Sequence, residues 1–301
     1  TQCQFPARAI FITKHFPNLV LPKSQCQSYK AYLDSFQTRS MSLIYASGYL
    51  GNPASMYGHV FLKFNGEVEH DLLDNTFSYG AKVPENESPL VYVAKGIFGG
   101  YEGKFSNQKY HHQHLTYNES ELRDLWEYKL NVSEDDILFL LAHLYELENT
   151  KLQYYFFKQN CAFQLAKLLG LVIDAPIIAP NKLWVMPYDL IMMLNRYDAK
   201  HNLIADVVYR GSRQEALYAK WNQLSKQERK IVVEVIGSSS RNVSSVLGTL
   251  TSQSAKKVID TLYDYYAFIE VKESQLNEEQ AATKKALLLA RFALPAGKTQ
   301  W

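Results

Sequence analysis

The sequence has 301 residues, 47% apolar and 21% charged, which fits one large or two medium packed domains and excludes a disordered or collagen-like chain. With 32 Lys and Arg against 30 Asp and Glu, the formal charge is only +2, so there is no whole-chain electrostatic case for a nucleic-acid partner. No apolar run approaches the roughly 20 residues that cross a bilayer; the best candidate, 137–147, contains His143 and Glu146. The chain opens at Thr1 with no basic and apolar leader pattern ahead of it. That is expected of an exported chain after processing, or of a segment of a longer protein.

Residues 1–40 read as irregular, with a helix over 25–37. Segment 42–46 (SLIYA) predicts a short buried strand, and 48–56 a turn-rich loop. Segment 60–64 (VFLKF) predicts a second strand, and Asn65-Gly66 a two-residue turn into a return strand from Val68. Residues 90–94 predict a further strand, running into a glycine loop at 96–103 (GIFGGYEG) that would border a site as a mobile element. Segment 124–130 (DLWEYKL) alternates like a strand. Ser133 opens a helix: it can cap, Asp136 follows three residues on, and Ile137, Leu140, Leu141 and Leu144 form an apolar stripe. Residues 154–157 (YYFF) predict buried packing or an acyl groove. A helix over 162–169 ends at Gly170, and 172–190 is Pro-containing and irregular. From 212 to 294 the pattern is a series of amphipathic helices, two of them separated by 237–240 (GSSS).

The chain has 3 cysteines. Cys3 and Cys26 flank a short segment and predict a disulfide, which persists only in an oxidising compartment. Cys161 is left over, and it opens a helix behind Asn160. Backbone N–H groups and the helix dipole favour thiolate at such a position, and the same N–H groups can face an oxyanion. The position equally suits an inert, small buried side chain. His59 directly follows Gly58, which leaves room around its ring. His70, Asp74, Thr76 and Ser78 sit at even positions and share one face if the return strand is unbroken. A hairpin would then set His59 beside His70 or Asp74, either of which could orient the imidazole.

Other motifs point away from metal, phosphate and serine chemistry. His111, His112 and His114 have no second Cys/His cluster nearby, and adjacent histidines in a strand face opposite ways, so no metal site is expected. In the glycine segment Phe105 stands where a phosphate loop needs Ser or Thr. No Gly-x-Ser-x-Gly elbow is present. Tyr101 and Lys104 are candidates for contact with a head group.

Four separated blocks, 52–62 (NPASMYGHVFL), 96–105 (GIFGGYEGKF), 124–130 (DLWEYKL) and 154–169 (YYFFKQNCAFQLAKLL), occur in one order, and the chain opens with 3–8 (CQFPAR). Together they resemble the bacterial family once catalogued as domain of unknown function 4105, the Lnb N-terminal periplasmic domain. That family resembles a circularly permuted relative of the papain-like NlpC/P60 and lecithin:retinol acyltransferase folds, in which a Gly-His strand precedes an Asn-Cys helix.

The resemblance implies Cys161 as nucleophile and His59 as base, with His70, then Asp74, then Ser78 as the orienting residue. The family's second strand usually ends in Asn, and Ser78 stands near that place. The resemblance further implies an oxyanion site at the Cys161 N–H with Asn160 or Tyr155. The expected fold is α+β: a papain-like antiparallel sheet carrying the Cys161 helix. The expected organisation is an N-terminal segment over 1–40, a catalytic domain over 41–210 and a helical region over 211–301.

The expected function is an exported thiol acyltransferase or acyl hydrolase acting on phospholipid or lipoprotein acyl groups, with peripheral membrane contact and no cofactor. Two alternatives stay open: a peptidoglycan cysteine peptidase or amidase, and a non-catalytic binding module.

Overall fold

Pro6 supplies a fixed φ at the first turn of a helix, so the segment read as irregular begins with α1 (Pro6–His15). Cys26, bonded to Cys3 with the two Cα atoms 5.0 Å apart, leads into α2 (Gln27–Asp34). These features belong to a computed structural model that describes residues 2–22, 24–49, 55–66, 71–84, 86–148, 150–173, 175–179, 181–237, 243–297 and 299. Two units are present: Thr1–Tyr117 with Arg123–Arg210, and Asn118–Leu122 with Gly211–Trp301.

The first unit is an α+β layer structure. In chain order its elements after α2 are β1 (Thr38–Ala46), β2 (His59–Gly66), β3 (Asn75–Ala81), α3 (Pro89–Phe98), β4 (Tyr101–Lys109) and the short α4 (Tyr110–His114). Then come β5 (Leu125–Leu130), α5 (Glu134–Leu147), β6 (Leu152–Tyr154), α6 (Cys161–Val172), α7 (Pro187–His201) and β7 (Ile204–Arg210). Among the described residues 7 strands form one sheet, ordered β6-β4-β3-β2-β1-β5-β7, and every recorded pairing is antiparallel.

Alternation along β2 sends Val60, Leu62 and Phe64 into the main core with α5 and α6, while Phe61 joins Ile44, Tyr110 and Leu125 on the other side. Both faces are covered, which is why 42–46 and 60–64 are mostly apolar and do not alternate with polar residues. On α6, Leu165, Leu168 and Leu169 are buried against this sheet. Each such side chain contributes about 1.5–3 kcal/mol by leaving water.

Several sequence expectations change. Asn65 and Gly66 are the last residues of β2, not a hairpin turn: Asn65 Nδ2 donates to Ser42 Oγ at 3.0 Å, and the Gly66 N–H donates to Asp74 Oδ1 at 2.9 Å. The return strand starts only at Asn75, after a 3-10 turn at Asp71–Leu73. The segment 90–94 is helical, because Pro89 sits in the first turn of α3 and Gly99, with φ 82°, ends it in the left-handed conformation. The glycine segment 96–103 is therefore a helix end and a strand start, not a loop. Gly170 lies inside α6, which runs on to Val172. The three histidines at 111–114 lie on α4, and no metal-ligating cluster occurs among the described residues.

The second unit is helical: α8 (Arg213–Gln223), α9 (Lys226–Gly237), α10 (Val243–Leu247), α11 (Ser252–Glu273) and α12 (Glu278–Ala293). Side chains cap four of these helices: Ser212 on α8, Ser225 on α9, Thr251 on α11 and Asn277 on α12. The unit has its own core, including Val232, Val235, Val258, Leu262 and Leu287. No helix among the described residues is long and apolar enough to cross a membrane.

Candidate active site

The start of α6 is set by one side chain. Asn160 caps it in extended conformation, its Oδ1 accepting the Phe163 N–H at 3.0 Å. Its Nδ2 donates to the carbonyls of Phe156 at 3.0 Å and Val185 at 2.8 Å. Both amide protons are thus occupied, so Asn160 braces the helix start and has no donor left to give an oxyanion.

Cys161 is the first residue of α6 and is 3% exposed. Backbone amides of Val60 and of the first residues of α6 lie near its sulfur and favour the thiolate. Burial outweighs these amides and the nearby charge of Arg123, and pushes the thiol up to about 11. Tyr79 and Tyr154 flank the sulfur in the main core. Burial, then proximity to Cys161, pushes the Tyr79 phenol up to about 12.

The Val60 amide that meets the sulfur follows His59 directly. His59 is the first residue of β2, paired with Ala46. Gly58 precedes it with φ 92°, and a Cβ there would lie 2.6 Å from the Tyr45 ring and 2.8 Å from the Ala46 carbonyl oxygen. The glycine is needed for the turn into β2 against β1, rather than for room around the imidazole. The His59 ring lies 5.5 Å from Tyr117 and 6.2 Å from Phe61 by centroids, toward the smaller core. Its Nε2 is enclosed with no hydrogen-bond partner among the described residues. Burial, then the charge of Arg123, lowers its pKa to about 3. At neutral pH the site therefore rests as a neutral thiol and a neutral imidazole. The structure joins the sulfur to the backbone of the His59 strand, while the imidazole packs with the aromatic layer beside Tyr117.

Arg123 links the two neighbourhoods. It is 1% exposed, and it donates from Nε to the Ser47 carbonyl at 2.6 Å and from Nη2 to the Ala46 carbonyl at 3.1 Å. Its guanidinium stands 4.7 Å over the Tyr117 ring and acts electrostatically on both His59 and Cys161. Sequence reasoning missed Arg123, Tyr117 and Tyr79 at this site. No local pattern marks them, because they arrive from segments brought together only by sheet pairing.

The candidates for an orienting residue separate. His70 lies outside the described residues. Asp74 does not reach His59: it accepts from Gly66 and stands 3.4 Å from Lys63 Nζ, so it serves the other end of β2. Four residues of strand between 59 and 63 span about 13 Å. The reason is the longer connection after Gly66, which shifts Asp74 away from the position an unbroken hairpin would give it. Lys63 there is 1% exposed and also pairs with Glu127 at 3.0 Å and Asp71 at 3.2 Å. Ser78 stands opposite Phe61, and its hydroxyl is 2.9 Å from that of Ser106.

The remaining candidates also scatter. The Tyr155 ring covers Gly99. Tyr101 is buried with its hydroxyl bonded to Glu87, so that hydroxyl is not offered to a head group. Lys104 is exposed on β4, and its charge acts on Glu148.

The family model described as the Lnb N-terminal periplasmic domain matches residues 28–197, and one described as a domain of unknown function (DUF7842) matches residues 207–300. No curated protein and no solved structure matches the chain. The first match spans more than half of the sequence, includes both the Gly58-His59 strand and the Asn160-Cys161 helix start, and carries a periplasmic description that agrees with the Cys3–Cys26 disulfide. By that match the chain belongs to the Lnb N-terminal periplasmic domain family.

Proposed function

We propose that this chain is an exported cysteine-dependent acyltransferase or acyl hydrolase built on a permuted papain-like arrangement, with Cys161 as nucleophile and His59 as general base. The observation that carries the reading is the place of Cys161 as the first residue of α6, behind the Asn160 cap and packed on β2, where backbone amides of Val60 and Ala162 lie near the sulfur. Amides near a sulfur stabilise the thiolate as it forms. The His59 imidazole is enclosed, with Nε2 unpartnered among the described residues, and its backbone directly precedes the Val60 amide at the sulfur. A neutral pair implies that the proton moves during attack rather than before it. On this reading the imidazole, which packs beside Tyr117 and Phe61 on the other side of β2 from the sulfur, has to leave that layer and turn toward Cys161 for catalysis.

The reaction then runs in two balanced steps. Sulfur bonds to the carbonyl carbon of an acyl ester, its proton passes to the His59 imidazole, and the carbonyl π electrons move to oxygen. The oxyanion collapses, the ester C–O bond breaks, and the imidazolium returns its proton to the leaving alcohol. The product is a Cys161 thioester. An amine, or water, attacks that thioester and gives its proton to His59, and sulfur leaves to regain it. Phospholipid is the proposed acyl donor, and the N-terminal amine of a lipoprotein the proposed acceptor.

The test is intact-mass measurement after incubation with phospholipid vesicles. The expected result is an acyl adduct on Cys161 that is absent from Cys161→Ser. His59→Asn should slow adduct formation by about 10²–10⁴-fold, the usual worth of a positioned general base. Cleavage of muropeptides with no adduct would transfer the proposal to a peptidoglycan peptidase. Adduct formation at full rate in His59→Asn would remove His59 from the mechanism.

A further inference from the structure

α6 has a second face. Phe163, Ala166 and Gly170 recur at helical spacing and, with Ile177 and Ile178, line a cavity of about 540 Å³. Leu165, Leu168 and Leu169 on the same helix pack against the sheet, and Cys161 belongs to that core. The cavity is therefore on the outer side of the helix from the thiol. Lys167 stands at its edge, with Nζ 5.1 Å from the centre of the Phe163 ring.

A second cavity of about 410 Å³ shares Pro176, Ile177, Ala179 and Lys182 with the first, so the two adjoin. Its character is different: Lys182, Arg196, Lys200 and His201 line it, and no carboxylate occurs among its described lining residues. Asp189 and Asp198, on the same helix as Arg196 and Lys200, have partners of their own. Asp189 pairs with Lys182 at 3.4 Å, and Asp198 accepts the Ile204 N–H at 2.6 Å. Immediately after Lys182, Leu183 is 71% exposed and Trp184 is 55% exposed.

We infer that this double groove docks an anionic membrane lipid in a bilayer, the head group held by Lys182, Arg196, Lys200 and His201 and an acyl chain lying along the outer face of α6. Charge complementarity selects the head group, because Arg196 and Lys200 line the cavity beside Lys182, which Asp189 pairs from outside it, and no carboxylate is among the described lining residues. The adjoining apolar cavity selects an amphiphile over a free phosphate or a nucleic acid, either of which would leave it unfilled. Leu183 and Trp184 supply the exposed apolar and aromatic anchors that seat a protein at a membrane interface. The site is separate from Cys161 and stands independently of the catalytic reading.

The test is flotation of the full chain with vesicles of phosphatidylcholine alone or mixed with phosphatidylglycerol. Binding is expected only with phosphatidylglycerol and should weaken as salt rises. The double variant Arg196→Glu, Lys200→Glu should lower the vesicle partition coefficient about tenfold or more. Trp184→Ser should lower it, with circular dichroism verifying the fold. Cys161→Ser should float as the unaltered chain does. Equal flotation of the charge-reversed and unaltered chains overturns the inference, as does no preference for phosphatidylglycerol. Displacement by inorganic phosphate, but not by chloride at matched ionic strength, overturns the lipid in favour of a phosphate-only site. Tighter binding to single-stranded RNA than to vesicles overturns it in favour of nucleic acid.

Discussion

Cys161 and His59 are displaced in opposite directions by the same cause. Burial raises the thiol to about 11 and lowers the imidazole to about 3, and each shift favours the neutral form. Alkylation of Cys161 by iodoacetamide should therefore be slow at pH 7 and should climb through pH 9 to 11, with no thiolate plateau near neutrality. Stability should respond at both ends. The unfolded His59 takes up a proton near its ordinary value of 6.5 and the folded one only near 3, so its contribution is full above pH 6.5 and is lost as pH falls toward 3. Folded Cys161 holds its proton to higher pH than the ordinary thiol at 9.0, so its contribution is full below pH 9 and is lost as pH rises toward 11. Each pKa unit corresponds to about 1.4 kcal/mol at most. Thermal melts against pH should show a shallower acid limb in His59→Gln and a shallower alkaline limb in Cys161→Ser. Unchanged limbs would mean that these groups are hydrated in the folded chain.

At the level of elements, α6 depends on Asn160 more than on any other single side chain at its start. Asn160→Ala removes the cap, worth about 1 kcal/mol, and leaves the Phe156 and Val185 carbonyls without their donor. A total loss of about 3 kcal/mol is expected from cap and unsatisfied carbonyls together. Asn160→Asp keeps the cap acceptor but loses both donations and buries a charge, so it should be no better. Urea midpoints for the two variants check this, and a loss under 1 kcal/mol would show that the loop before α6 re-pairs its carbonyls.

The Asn160-Cys161 start was legible because a capping side chain and an apolar helix face are local signals, as were the Ser133 cap and the strand at 124–130. The helix α3 was not. Its LVYVA run has the β-branched character of a strand, and Pro89 and Gly99 outweigh it only because they bracket a full helical span. Gly170 was misread as a stop because glycine in a helix costs only about 1 kcal/mol, which packing offsets here. Asp74 was misplaced because one wrong turn length moves every residue behind it along the partner strand. Arg123 was invisible for a related reason: its partners Ser47 and Ala46 are more than 70 positions earlier in the chain.

Across the whole molecule, Cys3–Cys26 closes a 23-residue separation and joins α1 to the entry of α2. Removing it by Cys3→Ser with Cys26→Ser should cost about 2–4 kcal/mol, measured by urea unfolding against the unaltered oxidised chain. No change would mean that the segment 1–26 contributes nothing to global stability. The division of the chain is also discontinuous. Asn118–Leu122 belongs with the helical unit, where Asn118 Nδ2 reaches the Gly211 carbonyl at 3.0 Å and Glu119 pairs with Arg213. A cut after Arg210 therefore leaves each piece missing, or carrying, a short stretch of the other.

The sealed sulfur of Cys161 bears on how the chain acquires its one crosslink. In an oxidising compartment an odd third thiol is a hazard, since an ionised sulfur can attack a neighbouring disulfide and scramble it. A sulfur held protonated and largely buried is slow to enter that exchange once folding is complete. Correct pairing is then exposed to error only while the chain is still being threaded into shape, before α6 seats on its sheet.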